Sequence, residues 1–305
     1  MPLPTAPEYQ TYADTVPDIR HNWIVRGPDP NLALGARDVR GYLYWWEDIE
    51  GWFSTPGLDT AITPQGNADR AIAGTRFPRK ERYVTIKGVC HVNDPAHNWD
   101  ARERLVTAWD SPNEYFDLIV EEPVPKKLRV RTVGQVEMDW NQEATMSFGF
   151  SIPLVAPSPY KQGLDTQNAV TGPTITSNPT RTYPRTYPLV YDSAGEGGYT
   201  SIFNRGNAPA LPIFLVTGYL KSGWKIINIT TGVELAYDIP INTNQTLTID
   251  TERQTVRVGN FDVQARRVGD WPLIIPGLNQ FRFVANNPGP TDEPTLAIIS
   301  SSAYK

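Results

Sequence analysis

What most limits the folds open to this chain is a pattern of short alternating runs cut off by proline and glycine. In YVTIKGVCHV, Val84, Ile86, Gly88, Cys90 and Val92 fall on one side, and Thr85, Lys87, Val89 and His91 on the other. A period of two marks a half-buried β-strand, because successive side chains leave opposite faces of the pleat. KLRVRTVGQVEMDW reads as a hairpin. Leu128, Val130 and Thr132 alternate with Arg129 and Arg131; beyond Gly134, Val136, Met138 and Trp140 alternate with Glu137 and Asp139. ATMSFGFSIPL puts Met146, Phe148, Phe150 and Ile152 on a common face. With 28 prolines and 23 glycines in 305 residues, breaks come too often for long helices but suit strands and turns.

One helix interrupts the strands. In DPAHNWDARERLVTAWDSP, Trp99, Leu105, Val106 and Trp109 make an apolar stripe at helical period. Asn98 is the expected N-cap, and Pro112 ends the helix soon after Asp110. The chain is thus expected to be mainly β. Residues 1–158 would form an N-terminal β-barrel or sandwich with one packed helix. The stretch from Pro153 to about Pro188, dense in Pro, Thr, Asn and Gly, reads as a domain connection. Within it RTYPRTYP is a near-duplication too short to be a fold repeat. Residues 159–305 would then hold the connection and a C-terminal jelly-roll-like β-sandwich. Its strands are expected at Leu211–Leu220, Trp224–Ile229, Val233–Tyr237, Thr246–Asp250, Thr255–Val258, Asn279–Ala285 and Thr295–Ser300.

Charge and cysteine usage narrow the function classes. A net charge of −5 argues against a large basic face for gripping nucleic acid. The single cysteine, Cys90, leaves no internal disulfide. MPLPTAPEYQTYADT has neither a basic n-region nor an apolar h-region, and no apolar run approaches the roughly 20 residues of a membrane span. The expectation is a protein made in a cytoplasm that stays soluble or joins an assembly, with no membrane partner.

Candidate chemistry is sparse. His91, His97 and Cys90 do not supply two close ligand pairs for zinc, and Cys90 and His91 point to opposite faces of one strand. Cys90 reads as a core thiol. No nucleophile elbow, Walker loop or dinucleotide fingerprint is present. Carboxylates gather at Glu47, Asp48 and Glu50, at Glu121 and Glu122, and at Asp250 and Glu252. A glycosidase would need two of them across a cleft; turns and strand ends are also ordinary places for solvated acids. No catalytic, cofactor-binding or metal residue is assigned. In YLYWWEDIEGWF, Tyr42, Tyr44, Trp45, Trp46, Trp52 and Phe53 suit core packing, an oligomer interface or a sugar platform. The segment from Gly51 to Arg82 lacks clean periodicity and ends in the basic run Arg79-Lys80-Glu81-Arg82. Long unpatterned segments in compact domains usually contact something.

The C-terminal half carries a recognisable order of motifs: NRGNAPALPIFLVTG (Asn204 to Gly218), INITTGVELAYDIPINTNQTLTIDTERQTVRVGN (Ile227 to Asn260) and WPLIIPGLNQFRF (Trp271 to Phe283). Together they resemble the C-terminal domain of distal tail proteins of long-tailed phages. In the N-terminal half, TIKGVC, a helix, a strand pair and FSIPLVAPSPY follow the layout of that family's barrel and its exit. RTYPRTYPLVY is similar to the same junction in actinobacteriophage minor tail proteins. The resemblance implies a non-enzymatic virion protein without cofactors. Its N-terminal domain would build a homo-oligomeric ring, a hexamer, and a galectin-like sandwich would project outward. The ring would join the tail tube protein to the tail-tip or baseplate hub protein, in company with the tape measure protein. DNA would pass through the channel without specific binding. Arg79, Lys80 and Arg82 would then face a neighbouring subunit or the tube, pairing with acids such as Glu121 and Glu122. Trp45, Trp46 and Trp52 are the accompanying interface candidates. The alternatives are a carbohydrate-binding tail protein and a glycan hydrolase. Within Ile229 to Asn260, Asp250 and Glu252 flank a hairpin where Asp can accept backbone N–H bonds, so that stretch is expected to build structure.

Overall fold

A computed structural model describes residues 23–60, 62–64, 71–73, 77–139, 146–175, 197–221, 223–285 and 294–305. Two compact units divide the chain: Met1–Lys161 together with Lys305, and Gln162–Tyr304. Trp140 and the RTYPRTYP repeat lie outside the described residues.

The first unit contains β1 (Val25–Arg26), β2 (Ala33–Leu34), β3 (Ala36–Arg37), β4 (Leu43–Glu50), β5 (Ile62–Pro64), β6 (Ala71–Ala73), β7 (Arg82–His91), helix α1 (Asn98–Trp109), β8 (Phe116–Val120), β9 (Lys126–Thr132), β10 (Glu137–Met138) and β11 (Ser147–Ala156). β7 pairs antiparallel with β4 and β11. From β11 the sheet continues through β9, β8 and β1 to β2. β3 pairs back onto β4. β2 and β3 are one segment bent at Gly35, whose φ of 87° suits glycine. The Gly35 N–H donates to the Tyr44 carbonyl at 2.7 Å. One edge of this segment therefore serves β1 and the other serves β4, and the sheet closes into a barrel. Closure covers the edges along this path of strands, where an open edge would invite strand addition.

Alternation sets the barrel interior as expected. Val84, Ile86 and Cys90 of β7 are fully buried, His91 is exposed, and Phe148, Phe150, Ile152 and Leu154 of β11 join the same core. Met146 precedes β11 and is 47% exposed, so the buried face begins one residue pair later than the alternation suggested. The helix is also rotated from its expected stripe. A 3₁₀ turn at Pro95–His97, capped by the Asp94 carboxylate on the Ala96 N–H at 2.9 Å, sets the phase. Asn98 is thereby inside the helical run and is not its cap; it accepts from Arg102 Nε at 2.8 Å. Ala101, Leu105, Ala108 and Trp109 face the core, and Trp99 is 63% exposed. The Tyr44 hydroxyl donates to the Ala101 carbonyl, and Arg102 lies 4.3 Å over the Phe148 ring, tying α1 to β4 and β11.

In the second unit are β12 (Lys161–Thr171, its first residue still in the first unit), β13 (Thr174–Ile175), β14 (Tyr199–Asn204), β15 (Ile213–Thr217), β16 (Trp224–Asn228), β17 (Val233–Tyr237), β18 (Thr246–Asp250), β19 (Thr255–Val258), β20 (Phe261–Asp262), β21 (Arg267–Gly269), β22 (Gly277–Ala285) and β23 (Thr295–Tyr304). One sheet runs β20-β19-β18-β15-β23-β12. In the other, β22 pairs with β13, β14 and β16, and β17 and β21 follow. The two sheets meet at Phe214 and Phe281, whose rings lie 5.7 Å apart, edge to face; Ile249 of the first sheet and Phe283 and Trp224 of the second are also buried. The expected strands are present. Five were not expected: β14, β20 and β21, and β12 and β13, which lie within the supposed linker. Beyond Gly163, β12 buries nothing, so its pairing rests on backbone groups and left no apolar period to read.

Candidate functional site

The residues singled out from the sequence divide sharply by burial. Arg82 is 2% exposed, and its guanidinium donates to the carbonyls of Gly51, Trp52, Ser54 and Pro159 at 2.7–3.1 Å. Arg79 donates to the Pro56 carbonyl at 3.0 Å, and the exposed Lys80 sits 3.7 Å from Asp59. The basic run is therefore a clamp on residues 51–59, and Arg82 has no surface to offer a partner. Glu121 and Glu122, its expected partners across subunits, are occupied within the chain by Arg26 and Lys126. Trp52 is fully buried and donates to Glu122 at 3.2 Å. Trp46 is buried, donates to the Trp23 carbonyl at 2.8 Å and stacks on the Trp23 ring. Burial in the chain's own core thus removes Arg82, Trp46 and Trp52 from any contact surface. Trp45 is half-buried.

Lys161 completes the Trp52 cluster. It is 5% exposed, donates to the Trp52 carbonyl at 2.8 Å and lies over the Trp52 ring. Two buried cations, Arg82 and Lys161, thus converge on one carbonyl oxygen. Burial, and next the Arg82 charge, pull the Lys161 ammonium down from 10.5 to about 8. Sequence reasoning missed this residue because nothing around Lys161 in the chain predicts burial. Burial likewise pushes the Cys90 thiol up to about 12, which suits a core side chain and not a nucleophile. Among the described residues no three His, Cys, Asp or Glu side chains gather to hold a metal ion. No helix among them is long and apolar enough to cross a membrane.

Asp250 caps the turn after β18. Its carboxylate accepts the Glu252 and Arg253 N–H groups at 3.0 Å each, and Arg253 pairs with it at 3.3 Å. The Asp250 carboxylate is thus engaged in turn geometry, and the Glu252 carboxylate accepts from Gln162 Nε2 at 3.4 Å.

The three C-terminal motifs meet at Leu273-Ile274-Ile275, each through a buried asparagine. Asn204 donates to the carbonyls of Ala208 and Ile274 and accepts the N–H groups of Gly206 and Ala303. Asn228 donates to Leu273 and accepts from Thr230 and Thr231. Asn279 donates to Ile275 and Gly277 and accepts from Ile275. Gly206 is required here, since a Cβ would stand 1.7 Å from the Ala303 carbonyl oxygen. The residues that carry the family resemblance are loop latches.

Three exposed faces stand out among the described residues. On the barrel, Arg129 and Arg131 of β9 flank the half-exposed Tyr115 ring at 5.7 and 5.3 Å. On β4, Glu47, Asp48 and Glu50 are exposed, with Lys87 bonded to Glu50. On the sandwich, the β14–β22 pair presents Tyr199, Phe203 and Leu278, with the Arg282 guanidinium 5.3 Å from the Tyr199 ring.

No family model and no curated protein matches this chain. Among solved structures it is similar to the Dit (gp 19.1) protein of SPP1, described as a paradigm of the hub adsorption apparatus in phages that infect Gram-positive hosts. The TM-score is 0.57 at 11% identity, over 93% of this chain and 99% of that one. At that identity the match shows a shared fold.

Proposed function

We propose that this chain is a non-enzymatic distal tail protein of a long-tailed phage. In this reading the N-terminal unit, residues 1–158 with the barrel, builds a hexameric ring, and the C-terminal sandwich projects from it. The ring joins the tail tube protein to the tail-tip or baseplate hub protein at the distal end of the virion tail. The tape measure protein and the DNA share the central path, and no cofactor takes part. The observation that carries the proposal is the extent of the fold match, which covers nearly the whole of both chains. The ordered motifs of the C-terminal half point the same way. A net charge of −5 per chain suits a channel that DNA slides through. Mass by light scattering and negative-stain images of the purified chain test this. A closed ring with a central opening is expected; a monomer at every concentration would refute it.

A carbohydrate-binding role is favoured by one feature, the exposed Tyr199 and Phe203 on the sandwich face. It predicts saccharide binding by the intact chain that is lost in Tyr199→Ala.

A further inference from the structure

The ring reading leaves open which surfaces close it, and the barrel offers a complementary pair. On β9, Arg129 and Arg131 occupy alternate outward positions, both exposed. Lys127 lies on the same face and is paired with Asp117 of β8 at 3.1 Å. Arg129 and Arg131 both reach the Tyr115 ring, and among the described residues neither forms an ion pair. This face carries two more positive than negative charges.

The opposite sign sits on β4. A bulge between Trp46 and Asp48 inserts one residue against β7. The bulge keeps Ile49 in the core while turning both Glu47 and Asp48 to solvent. Gly88 faces the bulged segment; a Cβ there would stand 2.1 Å from the Trp45 carbonyl oxygen. Of the three acids on β4, Glu50 is paired with Lys87, and Glu47 and Asp48 are exposed and form no ion pair among the described residues. This face carries two more negative than positive charges, with half-buried Trp45 on the same strand.

The two faces lie on opposite sides of the closed barrel. β7 and β11 separate β4 from β9 one way around; the β2–β3 segment, β1 and β8 separate them the other way. A closed ring needs two different, mutually complementary surfaces on each subunit, facing away from each other. β4 and β9 are each paired with strands on both sides, which favours contact through side chains. We infer that the β9 face of one copy, Tyr115, Arg129 and Arg131, docks on the β4 bulge of the next copy, Glu47 and Asp48, and that repetition of this contact closes the ring. Opposed charges select the head-to-tail orientation, since head-to-head docking would oppose like charges. The Tyr115 ring supplies a flat apolar centre between the guanidiniums. This inference rests on the ring reading.

The test uses two reversed variants of the full chain, E47K/D48K and R129E/R131E, sized by native mass spectrometry. Each alone should lose the ring, with the apparent dissociation concentration rising by about tenfold or more. An equimolar mixture should restore it, because alternating copies then present opposite charges at every contact. The wild-type ring should also weaken with added salt. Since all four residues are exposed, thermal melting checks that each variant remains folded. If either variant misfolds, the conservative R129K variant serves. Carbodiimide should then join position 129 of one chain to position 47 or 48 of the next. Rings that persist in both reversed variants, or crosslinks at neither acid, would overturn this contact and leave the ring reading intact. A wild-type monomer would overturn the ring itself.

Discussion

Asn204→Ala should destabilise the sandwich by about 3 kcal/mol. Four groups lose a partner: the N–H groups of Gly206 and Ala303 and the carbonyls of Ala208 and Ile274. They are not equal. The Ile274 carbonyl keeps the Ala210 N–H at 2.8 Å. Gly206 is half-buried, so its N–H can turn to water. Ala303 and Ala208 are buried, and an unmet buried polar group costs roughly 1–3 kcal/mol. Two such groups, plus a smaller share for Gly206, give the stated figure. Asn204→Asp separates donor from acceptor loss. Its carboxylate can still accept both N–H groups but faces two carbonyl oxygens without a proton. Protonation supplies one donor, so Asn204→Asp should recover relative to wild type as pH falls, and Asn204→Ala should not. Urea unfolding followed by far-ultraviolet circular dichroism gives the stability, and hydrogen exchange at the Ala303 amide reports the latch itself. A change below about 0.5 kcal/mol with unaltered exchange at Ala303 would refute the reasoning, because it would place Asn204 among ordinary surface substitutions.

Lys161 makes stability depend on pH. Its folded value of about 8 lies below the ordinary 10.5, so between those values the unfolded chain binds the extra proton and stability rises with pH. The gain from pH 7 to pH 9 should be about 1 kcal/mol, and Lys161→Met should abolish the slope; an equal slope in that variant would sink the assignment. Above pH 9 the Cys90 thiol, held up to about 12, acts in the opposite sense and lowers stability, so Cys90→Ala is the control. In the barrel, Phe148→Ala should cost roughly 3–5 kcal/mol, because the side chain is 3% exposed, and Met146→Ala should cost almost nothing in the same thermal melts. A fragment from Gln162 onward should fold alone as a sandwich. A fragment starting at Val190 lacks β12 and β13, leaves β23 paired in its sheet on the β15 side alone, and should be less stable in urea; equal midpoints would show that β12 contributes nothing.

By itself the sequence determined the β character, most strand positions and the helix. These follow from local rules: side chains alternate along a strand, and Pro and Gly end runs of structure. Val84, Ile86 and Cys90 lie where the period placed them, and Asp250 caps its turn as its position before Thr251-Glu252 suggested. The fold shared with that solved structure was anticipated too, by motifs whose asparagines latch the sandwich loops. Burial of charge was decided only by the tertiary structure. Arg82 ends a run of exposed-looking basic residues, yet it alternates in phase with Val84, so its side chain points inward and binds carbonyls of a loop distant in sequence. Barrel closure was equally hidden, because it depends on Gly35 bending a short segment to serve two strands. The phase of α1 came from a capped 3₁₀ turn that rotates the stripe away from Trp99. The opposition of Arg129 and Arg131 to Glu47 and Asp48 exists only once the sheet has closed, since charges on strands remote in sequence acquire a spatial relation through pairing alone.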